Sequence, residues 1–151
     1  MAEATMTDTS GPGPLGLILL DGRYERVHYG LAMAASALAI GRSCVIFFTN
    51  HALHALLPVG PDSAGWGALA GDAQGHDAAT QDKARQAAGV AGIEELLAAC
   101  AALGARFIAC EMGLRVAGLA AADLRNDIAI EVAGLVTLYN ALDGRSVPVV
   151  L

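Results

Sequence analysis

The sequence predicts an α/β protein: a parallel sheet of five strands covered by helices on both faces, a three-layer α/β/α sandwich. Three observations lead there. Short apolar runs without alternation recur along the chain, the pattern of strands buried on both faces. Between them lie stretches with apolar residues at three- and four-residue spacing, the period of an amphipathic helix. Strand, helix and strand follow one another within residues 15–49, which suits a right-handed crossover between parallel strands. With 151 residues, 55% of them hydrophobic, the chain has the size of one domain with a full interior.

Residues 1–14, MAEATMTDTSGPGP, are rich in Gly, Pro, Ser and Thr and lack the basic start and apolar stretch of a signal peptide. A disordered N-terminal tail is expected there, followed by a single domain over residues 15–151. Residues 15–20, LGLILL, read as the first strand. Over residues 24–40, Tyr24, Val27, His28, Leu31, Ala35 and Leu38 mark one helix face, with Asp21 or Gly22 as cap and Gly41 as the left-handed residue after the end. CVIFFT, residues 44–49, is the second strand, and NHALHALLP, residues 50–58, a short helix that Pro58 ends. Residues 59–91 are dense in Gly, Ala and Asp without a sustained period. They are expected to be an inserted, partly mobile segment with one helix in DAATQDKARQAA, serving as a lid, an oligomer contact or plain surface. Residues 92–105 form a helix with Ile93, Leu96, Leu97, Cys100 and Leu103 on one face, closed by Gly104. RFIAC, residues 106–110, is the third strand, and a turn follows. Residues 121–128 suggest a short helix, 128–132 the fourth strand, and 134–144 a further helix. SVPVVL, residues 146–151, is the fifth strand, at an edge because of Pro148.

The formal net charge is −6, and no Lys/Arg cluster occurs. Nucleic-acid backbones are bound by basic residues that release counterions, so nucleic acid is not an expected partner. No apolar run reaches the ~18 residues needed to span a bilayer, and a cytoplasmic protein with no membrane partner is expected. The three cysteines, Cys44, Cys100 and Cys110, are odd in number and widely spaced, which fits neither a disulfide framework nor a zinc pattern.

Ligands of open parallel sheets sit beyond the carboxyl ends of the strands. That rule selects Asp21, Gly22 and Arg23 after the first strand, Thr49, Asn50 and His51 after the second, and Cys110, Glu111 and Met112 after the third. Only Cys110 is a strong nucleophile. Backbone N–H groups just beyond it, or a cation such as Arg23, Arg115 or protonated His51, would favour its thiolate, and Glu111 would oppose it. The other reading is a small buried apolar residue, since free cysteines are among the most buried side chains. Cys100, on an apolar helix face, and Cys44, at the amino end of its strand, read as structural. His51 and His54 share a helix face and could join Cys110 in a metal site, but the spacing is incomplete and no metal is expected. His28 reads as a hydrogen-bonded core residue. No phosphate loop or G-x-S-x-G elbow is present.

Three blocks resemble the DsrE/DsrF-like family. They are VIFFTNHALHALL, GIEELLAACAALGARFIACEMGLRVAG and DLRNDIAIEVAGLVTLYNAL. The middle block is similar to the family's hallmark, C-[QE]-M-S-M-D-[VL]-M-G. Cys110, Glu111, Met112, Val116 and Gly118 agree with it, whereas Gly113 stands for Ser, Arg115 for Asp and Ala117 for Met. The resemblance implies a flavodoxin-like sandwich, usually a homo-oligomer. It also implies sulfur relay: the cysteine takes up sulfane sulfur as a persulfide and passes it on, without a cofactor, between donor and acceptor proteins such as a TusA-like carrier. Cys110 would be the reacting residue, with Glu111, Met112, Arg115, Arg23, Asn50 and His51 around it. Arg115, if turned inward, would favour the anionic persulfide. The alternative is a non-catalytic oligomeric α/β module that binds a small ligand or a protein partner.

Overall fold

The structure is a computed structural model and describes residues 11–151. Residues 1–10 of the expected tail lie outside the described residues. At its end, Arg42 Nε donates to the Gly13 carbonyl at 2.8 Å and the Ser146 hydroxyl donates to that of Pro14.

The elements are β1 (Leu15–Leu19), α1 (Tyr24–Ala39), β2 (Cys44–Phe48), α2 (Ala78–Ala87), α3 (Ile93–Ala102), β3 (Arg106–Cys110), α4 (Glu111–Ala117), β4 (Ile130–Ala133), α5 (Leu135–Leu142) and β5 (Val149–Val150). All strand pairs are parallel, in the order β4-β3-β2-β1-β5. The parallel sheet with helices at its sides is as expected. The strand order is not the flavodoxin-type order, in which β1 lies between β2 and β3; here β1 lies between β2 and β5. The chain adds β2, β3 and β4 in one direction and returns across the whole sheet only once, through α5.

That path makes the two faces unequal. Leu15, Leu17, Leu19, Cys44, Ile46, Phe48, Phe107 and Ala109 point to a large core beneath α1 and α3. The alternate residues Val45, Phe47, Ile108 and Cys110 point to a small one, completed by Leu138 and Leu142 of α5. Gly16 belongs to the second face because Leu142 sits on it: a Cβ there would lie 2.7 Å from the leucine's Cδ2. Each leucine buried in this way contributes roughly 1.5–3 kcal/mol.

Several local expectations are corrected. The residues after Cys110 form a helix, α4, where a turn was expected. Residues 50–56 are helical but in the tighter 3₁₀ form. Of the helix expected over 121–128 only the 3₁₀ turn Ala121–Asp123 exists, because Arg125 is drawn to Glu94 (2.8 Å) and Asp127 (2.7 Å). Leu103 is exposed, being the C-cap of α3. Neither Asp21 nor Gly22 is the N-cap of α1. Arg23 holds that position, and its own N–H is taken by the Asp21 carboxylate at 2.9 Å.

Residues 59–91 contain a 3₁₀ turn, Gly65–Ala68, and α2, which Asp77 caps through the Thr80 N–H. They are joined to the domain through Asp82, a buried carboxylate. It accepts the Tyr24 hydroxyl at 2.5 Å, the Ile93 N–H at 2.7 Å and the Gln86 amide at 2.9 Å. The Ile93 N–H is an orphan donor of the first turn of α3, so one side chain ties the starts of α1 and α3 to α2. Burial first, then the bond to Asp82, keeps the Tyr24 phenol protonated far above its ordinary range, and Arg85 lies over its ring at 4.9 Å. Replacing Asp82→Ala strands two buried donors and is expected to cost about 2–4 kcal/mol, whereas Tyr24→Phe costs about 1–2 kcal/mol. Urea denaturation checks both, and two variants within about 0.5 kcal/mol of the parent would rule the anchor out.

Candidate functional site at the carboxyl end of β3

Cys110 ends β3 in register with Ala133 of β4, and α4 starts at the next residue. Its backbone is extended (φ −63°, ψ 117°) and its side chain caps the helix, the sulfur accepting the Gly113 N–H at 3.3 Å. The thiol thus takes the place that Ser or Asp holds at most helix starts. The donor expected beyond the cysteine is therefore present. A second helix begins close by, since Gly134, the N-cap of α5, follows Ala133 directly. The sulfur is nevertheless enclosed. Cys110 is 2% exposed, in the small core with Val45, Phe47, Ile108, Leu138 and Leu142.

The other two cysteines lie in the large core. Burial pushes the Cys44 thiol up to about 12, helped by the nearby Cys100. Burial alone pushes Cys100 up to about 11; its sulfur donates to the Leu31 carbonyl at 3.5 Å. Both remain neutral at physiological pH, in keeping with structural roles.

Gly113 allows α4 to lie where it does. A Cβ at this position would stand 2.9 Å from Thr49 Oγ1, 3.1 Å from the Asn50 nitrogen and 3.1 Å from Leu53 Cδ1. The glycine that departs from the hallmark therefore fits a close contact between α4 and the turn after β2. That turn bends at Asn50, which adopts the left-handed region at φ 49°, a conformation that asparagine tolerates better than most residues. Glu111, Met112 and Arg115 all face solvent. Arg115 does not turn toward the sulfur.

Arg23 and His51 belong to a neighbouring cluster at the end of β1. Asp21 clasps the Arg23 guanidinium at 2.6 Å. His51 Nε2 bonds the Ala68 carbonyl at 3.0 Å, its ring lies 4.3 Å from that of His54, and it packs on Gly22. Burial, and then His51, lower the proton affinity of His54. Among the described residues no three His, Cys, Asp or Glu side chains are grouped to hold a metal, so Cys110, His51 and His54 do not converge. His28 is buried on α1 and bonds the Ala91 carbonyl at 2.8 Å.

Sequence reasoning missed the contact role of Gly113 and the packing of Leu138 and Leu142 of α5 into the small core that also holds Cys110. The i, i+4 spacing of those leucines signals a buried helix stripe but does not say what lies beneath it.

The fold and site define a thiol-bearing α/β domain whose cysteine joins a parallel strand to the helix that leaves it. The model of the DsrE/DsrF-like family matches residues 17–145, and the chain belongs to that family. No curated protein matches it.

Two outcomes are expected here. Gly113→Ala forces α4 away from Thr49 and Asn50 and lowers stability by roughly 1–3 kcal/mol, read from the denaturation midpoint; an unchanged midpoint would contradict the contact. The hydrogen bond from Arg23 holds the Asp21 carboxyl at about 2, below its ordinary 3.8. What the pair adds to stability is complete above 3.8 and is lost as the pH falls toward 2. Carboxyl NMR titration should find the depressed value, and Arg23→Ala should move it most of the way back.

Proposed function

We propose that this chain is a sulfur-relay protein in which Cys110 carries sulfane sulfur as a persulfide. The supporting observation is the cysteine at the carboxyl end of β3 with the Gly113 N–H on its sulfur, in a chain of the DsrE/DsrF-like family. A hydrogen bond of this kind strengthens when the acceptor is anionic. The Cys110 thiolate attacks the outer sulfur of a donor persulfide, R–S–SH. The donor's S–S bond breaks, its thiolate leaves, and Cys110 becomes Cys–S–SH. An acceptor thiolate then attacks that outer sulfur and releases the Cys110 thiolate, so the cycle has no net oxidation and uses no metal or organic cofactor.

Donor and acceptor proteins, a TusA-like carrier among the acceptors, dock against the exposed Glu111, Met112, Arg115 and Asn50, with Arg23 and His51 on the adjoining strand end. Val116, 81% exposed, and Val136, 74% exposed, offer apolar surface for a homo-oligomer. Among the described residues no helix is long and apolar enough to cross a membrane. The free thiols suit the reducing cytoplasm.

One observation favours a second reading, a non-catalytic binding module: the enclosure of Cys110. A cavity of about 380 Å³ lined by Pro58, Val59, Trp66, Glu94, Arg125, Asn126 and Asp127 could hold its ligand. The buried indole N–H of Trp66 has no hydrogen-bond partner among the described residues.

Incubation of the reduced protein with polysulfide or a persulfidated donor, followed by intact mass measurement, decides between them. An adduct of about 32 Da, one sulfur atom, is expected. It should vanish on reduction and be absent from Cys110→Ser, in which serine keeps the helix cap. No adduct, or one that survives the substitution, would favour the binding module.

A further inference from the structure

Cys110 has a polar neighbour at its end of the sheet. The last register partners of β2 and β3 are Phe48 and Ala109. Thr49 and Cys110 are therefore the next residues on two adjacent parallel strands, about 4.8 Å apart. Thr49 is still in line with the sheet: its backbone is extended (φ −141°, ψ 167°), and its N–H donates to the Leu19 carbonyl at 3.0 Å. The alternation that turns Val45 and Phe47 to the small core turns Thr49 to the same face as Cys110.

Thr49 holds the N-cap of the 3₁₀ segment Asn50–Leu56, where a threonine oxygen ordinarily accepts an N–H of the first turn. Here the side chain makes no cap hydrogen bond, nor any other among the described residues, although Thr49 is only 7% exposed. Its direction is shown by Gly113: Oγ1 lies 2.9 Å from where a Cβ of that residue would stand. The N–H of the same glycine meets Cys110 Sγ at 3.3 Å. Gly113 thus faces the sulfur with its nitrogen and the hydroxyl with its Cα. Among the described residues the sealed, unpaired polar atom is Trp66 Nε1. The Thr49 oxygen is unpaired but not sealed, so water, or a sulfur atom in its place, can reach it.

We infer that the Thr49 hydroxyl is the hydrogen-bond donor for the outer sulfur of a Cys110 persulfide. The inference rests on the sulfur-relay reading and names the residue that holds its cargo. The S–S bond of a persulfide sets the outer sulfur about 2.05 Å beyond Sγ, away from the Gly113 N–H that serves the inner one. The candidate cations do not serve it: Arg23 is clasped by Asp21, and Arg115 is exposed. A hydroxyl at the adjacent register position does. A hydrogen bond to an anionic acceptor is roughly twice as strong as one to a neutral acceptor, so Thr49 favours Cys110–S–S⁻ over Cys110–S–SH.

That preference protects the cargo. A small thiolate RS⁻ attacks the outer sulfur of neutral Cys110–S–SH, releasing Cys110–S⁻ and forming R–S–SH. Against Cys110–S–S⁻ the same attack meets like charge. An acceptor discharges the anion as a thiol, R′–SH. Its sulfur bonds to the outer sulfur, its proton moves there, and the S–S bond of Cys110 breaks. The products are R′–S–SH and Cys110–S⁻, the latter with the Gly113 N–H on its sulfur, and no oxidant or reductant is consumed.

Intact mass gives the test. The parent, Thr49→Val and Thr49→Ser are loaded with polysulfide, freed of excess and exposed to glutathione, and loss of the adduct is timed. Thr49→Val keeps the branched shape without the hydroxyl and should lose its sulfur about tenfold faster. Thr49→Ser should restore the parent rate. The unloaded Cys110, alkylated by N-ethylmaleimide and followed by peptide mass, should react at one rate in all three proteins. A Thr49→Val that holds no sulfur at all, beside a Thr49→Ser that does, is the same result in its extreme. Equal loss from the parent and Thr49→Val overturns the inference, as does a Thr49→Ser that behaves like Thr49→Val. So does a Thr49→Val whose unloaded Cys110 is alkylated faster by the same factor, since a loosened α4 would then explain both. Should Thr49→Val not fold, Thr49→Ala removes the same hydroxyl and is read in the same way. A parent that takes up no sulfur removes the relay reading and the inference together, whereas a loaded parent indifferent to Thr49 removes the donor alone.

Discussion

Parallel strands can be joined only by crossovers, and crossovers between parallel strands are right-handed. In this sheet the steps from β1 to β2, β3 and β4 all run the same way, so their connections, α1, α3 and the segment containing α4, fall on one face. The single step back, from β4 past β1 to β5, must place its helix on the other. One rule of handedness therefore divides the interior into a thick core and a thin one. The strand alternation then assigns Cys110 to the thin side, together with Ile108. Beyond the reach of α5 the same face is open enough for the Arg106–Glu131 ion pair to sit in solvent.

The site is assembled by close approach more than by charge. The N–H that meets the sulfur comes from Gly113, and that residue stands where it does because hydrogen, not carbon, faces Thr49 and Asn50. The cations are spent elsewhere or turned outward. Arg23 is neutralised by Asp21, Arg125 by Glu94 and Asp127, and Arg115 points to solvent. The immediate surroundings of the sulfur are backbone dipoles and apolar side chains.

Much of this was legible in the residues. The runs LGLILL, CVIFF and RFIAC declare themselves because a strand buried on both faces must be apolar throughout. Cys110 could be assigned to a strand end, and Cys100 and His28 to the core, by spacing alone. Strand order was not legible, since nothing in a buried strand's composition names its neighbours. The tie of α2 to the domain was hidden as well: Asp82 sits among polar residues of an exposed-looking helix, and only the fold brings Tyr24 and Ile93 to it. Arg125 misled in the opposite sense, because a sequence with fair helical pattern gave way to three charged groups that pair better outside a helix.

A chain is made from its amino end, and α5 comes after nearly everything it covers. When Cys110 has emerged and β1, β2 and β3 can already pair, the residues that will close the thin face are still to be synthesised. The half-made domain thus passes through a stage with the apolar residues of its thin face uncovered and with an unpaired outer edge of β1 that waits for β5. For this topology the hazard of the nascent state, a bare apolar face and an open strand edge, is built into the order of the elements.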